Sequence, residues 1–373
     1  MKSPDMALDF KSPPESICIL RLSAIGDVCQ AIPTVLAIQK HWPQTKITWI
    51  IGTVEHLLLK GMPGIEFIPF NKNKSIPSFF ELKKKLSGRK FDVLLHMQTS
   101  LRSNLIATAI PATHRLGFDK SRAKELHSLV INHPVKVPPA QHQVDDFFAF
   151  ALELGVPDGT KNWLISIPDE ALEFARSHLP SEKKIVAINA ASSPSKRVHR
   201  NWSTENFVHV IDQLGEQNLQ TVLVSGPSEY EKDIAKRIYE SVKHKPIDLS
   251  GKTNLKQFPA VIQQVDLLLS SDSGPCHVAT AVGTPVIALH AATNPYQTGP
   301  YNDLDKTINV YPQCILDEYK KPLEELDWGI RAHGRNIMDQ ISVNEVMKMI
   351  GRVLKNTHRP QVSSPPAAIE IQM

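Results

Sequence analysis

The densest group of reactive side chains in this 373-residue sequence is Asp272-Ser273-Gly274-Pro275, followed two residues later by His277. A short apolar run, 266–270, precedes it and suits a buried parallel strand. The turn also starts a helix: Ser or Asp can cap it, Gly allows close backbone approach, and Pro is tolerated in the first turn. Free N–H groups at such a start point toward an anion. A capped strand–turn–helix unit accounts for the same pattern without any ligand. The gathering of a carboxylate, a hydroxyl and an imidazole at one strand's carboxyl end favours a ligand site, because open α/β sheets bind there. Two further places carry chemistry. Gly26-Asp27 follows the strand at 16–22, where Asp27 is either a first-turn carboxylate favoured by the helix dipole or a general base facing a cleft. The loop 189–202 is Ser-rich and basic (Ser192, Ser193, Lys196, Arg197, Arg200), a composition that suits a diphosphate.

Alternating strands and helices must position these groups. Strands are expected at 16–22, 46–52, 66–70 and 91–96, with helices between them, including one from the 23–28 loop to about His41. A second βαβ series begins at 185–188 and continues through 220–225, 266–270 and 286–289. This alternation predicts parallel sheets with helices on both faces. The expected division is a tail at 1–15, a first domain at 16–180, a second at 181–335, a helix within 336–355 packing back on the first domain, and a tail at 356–373. Segment 302–335 reads as irregular.

Composition narrows the class. Hydrophobic residues make up 42% and charged residues 21%, which is globular, and the length allows two ordinary domains. The four cysteines are scattered without a CxxC pair, against a disulfide framework or a zinc site. The first residues lack the apolar core of a signal peptide, and no apolar run is long enough for a membrane span, so a cytoplasmic protein is expected. A net charge of +4 is no nucleic-acid signature, and no nucleic-acid partner is expected. Ser250-Gly251-Lys252-Thr253 lacks the upstream glycine of a P-loop, position 246 being Pro, and no GxGxxG supports an oxidoreductase.

The string Ser271-Asp-Ser-Gly-Pro-x-His-x-Ala279 closely resembles the signature of the ADP-heptose:lipopolysaccharide heptosyltransferases, glycosyltransferase family nine. Arg21-Leu-Ser-Ala-Ile-Gly-Asp-Val28 resembles that family's first loop, and the likeness spans roughly 17–354. It implies a GT-B architecture, two Rossmann-like domains with parallel sheets facing across a cleft. It implies inverting transfer of L-glycero-D-manno-heptose from ADP-heptose to a hydroxyl of the lipopolysaccharide inner core. In that reading Asp27 is the base. Arg200, Ser192, Ser193 and the start Ser273-Gly274-Pro275 stabilise departing ADP, with Lys196 and Arg197 as alternatives to Arg200. Asp272 holds sugar hydroxyls and His277 supports the loop. Thr293, in the segment 290–295, lies near the donor sugar. Glu229 meets ribose or adenine, or is a capping carboxylate. Arg102 and Lys124, in a basic cluster with Arg115, Lys120 and Arg122, contact the acceptor, as does His142 unless it caps a surface helix. The acceptor is Kdo-lipid A or a heptosylated core, reached by transient contact with the inner-membrane surface from the cytoplasmic side. No cofactor and no metal are expected. Two rivals stay open: a transferase of the same fold with another nucleotide sugar or acceptor, and a non-catalytic sugar-nucleotide-binding module.

Overall fold

A computed structural model describes residues 12–180, 182–192 and 200–356. The first half runs β1 (Ser16–Leu20), α1 (Ile25–His41), β2 (Lys46–Gly52), α2 (Thr53–Leu59), β3 (Ile65–Phe70), α3 (Ser75–Lys85), β4 (Phe91–His96), α4 (Leu101–Ala107), β5 (Ala112–Phe118), β6 (His133–Val135) and α5 (Gln143–Glu153). The second runs α6 (Asp169–His178), β7 (Ile185–Asn189), α7 (Thr204–Glu216), β8 (Gln220–Leu223), α8 (Glu229–Ser241), β9 (Ile247–Asp248), α9 (Gln257–Gln263), β10 (Leu267–Ser271), α10 (Gly274–Val282), β11 (Val286–His290), α11 (Pro295–Thr298), β12 (Ile308–Asn309), α12 (Tyr311–Tyr319) and α13 (Val343–Asn356).

Each half builds one six-stranded parallel sheet, ordered β3-β2-β1-β4-β5-β6 and β12-β11-β10-β7-β8-β9. Numbered within its own half, each sheet is the doubly wound order 3-2-1-4-5-6, so each has one switch point, β1/β4 and β7/β10. Central strands such as β1 and β10 are near-continuous apolar runs because helices cover both faces. In the first half, α1, α2 and α5 cover one face, while α3 and α4 cover the other around Leu20, Ile50 and Leu94.

Four expectations change. Strands β5 and β6 have no counterpart among the expected strands: polar Thr113, His114 and Arg115 break the apolar pattern of β5, and β6 has three residues. Helix α6 belongs to the second body, since Ala171 and Ala175 pack with Ile185, Ala187 and Val265, so the domain boundary lies upstream of residue 180. Helix α13 does not return to the first domain. Its Val346, Ile350, Val353 and Leu354 join Phe207, Ile211 and Leu289 in the second core. The stretch 302–335 is partly regular, holding β12 and α12. The expected tails at 1–15 and 356–373 lie mostly outside the described residues. Among the described residues, no helix is long and apolar enough to cross a membrane.

The halves meet along α1 and α10, where Val278 and Ala281 enter the first domain's core. Lys256 Nζ crosses the boundary to donate to the carbonyls of Leu58, Lys60 and Ser166 at 2.8, 2.7 and 2.6 Å. Trp328 Nε1 donates to Gln141 O at 3.1 Å, and Tyr301 Oη to Asp145 Oδ1 at 2.8 Å.

Candidate active site

The site begins where β1 ends. Arg21 is buried beneath α5, its guanidinium 5.0 Å from the centre of the Phe147 ring, and its Nη1 donates to Met97 O at 2.6 Å. Its other arm, Nη2, lies 2.6 Å from Asp27 Oδ2, which also accepts the Ala24 N–H at 2.7 Å. Gln143 Nε2, from the start of α5, donates to Asp27 Oδ1 at 3.0 Å. Asp27 sits in the first turn of α1, where the helix dipole favours an anion. Burial pushes its carboxyl up, but Arg21, the Ala24 N–H and nearby His277 outweigh that and hold it below the ordinary carboxylate range. It is therefore ionised near neutral pH and able to accept a proton. Its side chain is 28% exposed.

Across the boundary stands the start of α10. Ser273 occupies the N-cap position without capping through its side chain. Its Oγ donates to Ser271 O at 3.0 Å and receives Asn189 Nδ2 at 3.1 Å. Asn189 Nδ2 also reaches Ser270 Oγ at 3.0 Å, so the end of β7 fixes the turn after β10. The two helix starts are close enough that one of them needs a glycine. A Cβ on Gly26 would lie 2.5 Å from His277 Cδ2, whereas one on Gly274 would make only ordinary contact with Ile25 at 3.7 Å. Glycine at 26 is thus what lets His277 lean on the first turn of α1. His277 Nδ1 is 3.4 Å from Gln30 Nε2. Burial lowers its pKa despite the opposing pull of Asp272 and Asp27.

Asp272, expected to hold sugar hydroxyls, sits in an ion pair. Its Oδ2 is occupied by Arg200 Nη1 at 2.9 Å and Thr293 Oγ1 at 2.6 Å, and both ends of the ion pair are under a tenth exposed. Burial raises its carboxyl, and His290, Arg200 and Thr293 together reverse this and keep it ionised. Thr293 is itself 3.2 Å from His290 Nδ1. Ser192 uses both N–H and Oγ on Asn201 Oδ1, each at 2.8 Å. Ser193, Lys196 and Arg197 lie outside the described residues. Glu229 is exposed and pairs with Lys232 at 3.0 Å, while Glu231 fills the capping position with Ser228 and Gly226.

The basic cluster divides. Arg115 spends its guanidinium on the carbonyls of Val130, Ile110 and Ala107, each at 2.7 Å, and Arg122 pairs with Asp146. Lys120 and Lys124 are exposed. Arg102 lines a pocket of about 390 Å³ with Leu22, Ser23, Gln98, Ser100 and Glu125, at the β1/β4 switch point. His142 is the N-cap of α5, but not at the surface: its Nδ1 accepts the Val144 N–H at 3.1 Å and its Nε2 donates to Gly299 O at 3.0 Å. Both nitrogens are committed, so it joins the domains rather than contacting an acceptor. Burial pushes its pKa down to about 4.

Sequence reasoning missed Arg21 as the partner of Asp27, and Asn189, Asn201 and His290 as supports. The only local signal was their polar character at strand ends. Among the described residues, no group of three or more His, Cys, Asp or Glu is placed to hold a metal ion.

The profile of glycosyltransferase family 9 (heptosyltransferase) matches residues 79–326. Over 345 residues, the chain is 39% identical to the lipopolysaccharide core heptosyltransferase OpsX of Haemophilus influenzae, covering 92% of this chain and 99% of that protein. A family 9 glycosyltransferase from Veillonella parvula superposes with a TM-score of 0.77 at 25% identity, covering 95% of this chain and all of that one. The Escherichia coli heptosyltransferase WaaC with ADP-2-deoxy-2-fluoro heptose gives 0.67 at 19% identity, covering 90% and 99%. With a six-stranded doubly wound sheet on each side of the α1–α10 contact and these matches along its length, the chain belongs to glycosyltransferase family 9 and is a glycosyltransferase.

Proposed function

We propose that the protein transfers L-glycero-D-manno-heptose from ADP-heptose to a hydroxyl of the lipopolysaccharide inner core, with inversion at the anomeric carbon. The observation that carries this is the meeting of two helix starts at two switch points. On one side is an ionised, partly open carboxylate, Asp27; on the other is an anion-binding helix start flanked by Arg200. The names of the relatives supply the sugar and the acceptor: one is a lipopolysaccharide core heptosyltransferase, and another is a heptosyltransferase bound to an ADP-heptose analogue.

The reaction is a single displacement. The acceptor oxygen attacks the anomeric carbon while the bond from that carbon to the diphosphate oxygen breaks, its electron pair leaving with ADP. Asp27 takes the acceptor hydroxyl's proton. Arg21 and the Ala24 N–H hold Asp27 in place and ionised; they also make it a weak base, suited to accepting the proton late, as the attacked carbon gains positive charge. Arg200 and the N–H groups of α10 stabilise the charge growing on ADP. Asp272 holds Arg200, and Thr293 steadies Asp272 by donating to the same Oδ2. The pocket of Arg102 and Ser23, at the end of the strand from which the Asp27 loop leaves, takes the anionic acceptor, with the enzyme working at the cytoplasmic face of the inner membrane.

The test is ADP release from ADP-heptose with Kdo2-lipid A and with the same acceptor already bearing one heptose, together with the anomeric configuration of the product. Release with either acceptor and an inverted product supports the reading. Binding of ADP-heptose without release in either case would leave a sugar-nucleotide-binding module.

A further inference from the structure

We propose that the α3/α4 face of the first domain is the surface by which this enzyme docks on an anionic lipid bilayer; this rests on, and deepens, the proposed lipid-linked acceptor. That face is the side of the first sheet turned away from the α1–α10 contact. It carries six exposed large apolar side chains: Ile76 (74%), Phe80 (64%), Leu101 (48%), Leu105 (58%), Leu126 (65%) and Leu129 (78%). The whole second domain, among its described residues, exposes Tyr239, Tyr296 and Leu316. Scattered exposed leucines need no explanation, but a cluster on one face does.

Helix spacing orders this patch. Ile76 and Phe80 are four residues apart on α3, and Lys83 and Lys84 follow at seven and eight from Ile76, so all four share the outward stripe. Leu101 and Leu105 repeat the spacing on α4, and a hydrogen bond from Leu101 N–H to the Glu125 carboxylate brings the Leu126–Leu129 segment beside them. Lys74, Lys83, Lys84, Lys85 and Lys124 are exposed around the patch, and none forms an ion pair among the described residues. Apolar tips ringed by free ammonium groups match a bilayer whose headgroups are anionic: the tips enter the acyl boundary and the lysines meet phosphates. A water-facing surface would have no use for the apolar tips, and a purely electrostatic contact would not need them. The patch also runs into the acceptor pocket, since Leu101 and Glu125 line both. Docking there would bring the bilayer to the pocket's mouth.

The experiment is flotation of the full-length protein with vesicles of equal parts phosphatidylglycerol and phosphatidylcholine, against pure phosphatidylcholine. Wild type should float with the anionic vesicles, less so in high salt. The double variants Ile76→Ser/Phe80→Ser and Lys83→Glu/Lys84→Glu should each bind at least about tenfold more weakly. Both alter exposed positions, so thermal unfolding should match wild type. Heptose transfer to a water-soluble truncated core oligosaccharide should be unchanged in both, which separates docking from catalysis. No binding of wild type to anionic vesicles, or wild-type binding by either variant, would overturn the proposal. Absence of transfer by wild type, with its vesicle binding intact, would count against the proposed reaction and leave docking standing.

Discussion

Each domain places an arginine–aspartate pair beside a helix start, and the two pairs are built differently. Arg21–Asp27 is 2.6 Å long and its carboxylate is 28% exposed; Arg200–Asp272 is 2.9 Å long and its carboxylate is 9% exposed. Both acids are held below the ordinary carboxylate range against the opposing effect of burial. In the first pair the arginine is the closed partner, stacked on Phe147 and tied to Met97, and the acid is the more exposed one. In the second, Thr293 and Arg200 meet the acid's Oδ2 and both ends of the ion pair are buried. The same two residue types are therefore presented differently. Only the first pair leaves its acid open to a ligand; in the second, acid and guanidinium are equally buried, and charge rather than exposure makes Arg200 the group suited to a diphosphate.

Asp27→Asn should break the first pair's function most severely. The amide keeps the shape but cannot take a proton, so kcat should fall by about 10²–10⁴ with ADP-heptose affinity nearly unchanged. Steady-state kinetics beside calorimetric titration of the donor would check this, and undiminished turnover would remove Asp27 as the base. Asp272→Asn sharpens the contrast from the other side. It leaves a buried guanidinium without its counter-charge, so unfolding stability should fall by about 3 kcal/mol or more, as denaturant titration would show. Donor binding should weaken as Arg200 loses its anchor. Asp27→Asn, at a more open pair, should lower stability less; equal losses would refute the division between acting and supporting acids.

The smallest effect concerns pH. His142 has a folded pKa of about 4, below its ordinary value of roughly 6.5. The folded state thus binds fewer protons than the unfolded chain between those values. Its contribution to stability is complete above about pH 6.5 and is lost as pH falls toward 4. Protonation removes the Nδ1 acceptor of the Val144 N–H. Asn also caps helices well, so His142→Asn should flatten this part of the stability–pH curve by roughly 3 kcal/mol at most. Parallel curves for the two proteins would show that His142 does not titrate in that window.

Much of the fold was legible because parallel strands buried on both faces leave plain apolar runs. Observed β2 and β4 coincide with the expected segments, and α1 ends at His41, the expected limit. The failures have physical causes. Strand β5 exposes polar residues near the edge of its sheet, and β6 is too short to show a pattern. Helices α6 and α13 are amphipathic, and an amphipathic helix says which face it buries but not against which domain.

At the site, the sequence by itself determined that Asp27 and Asp272 each follow a strand at the head of a helix, because capping and strand-end chemistry are local. Only the tertiary structure decided which acid is open, that His142 is an interdomain strap, and that Arg115 is spent on carbonyls. It also decided that Gly26 is there to admit His277. These depend on contacts between residues up to about 250 positions apart, Gly26 and His277 among them, and no local pattern encodes a partner that far along the chain.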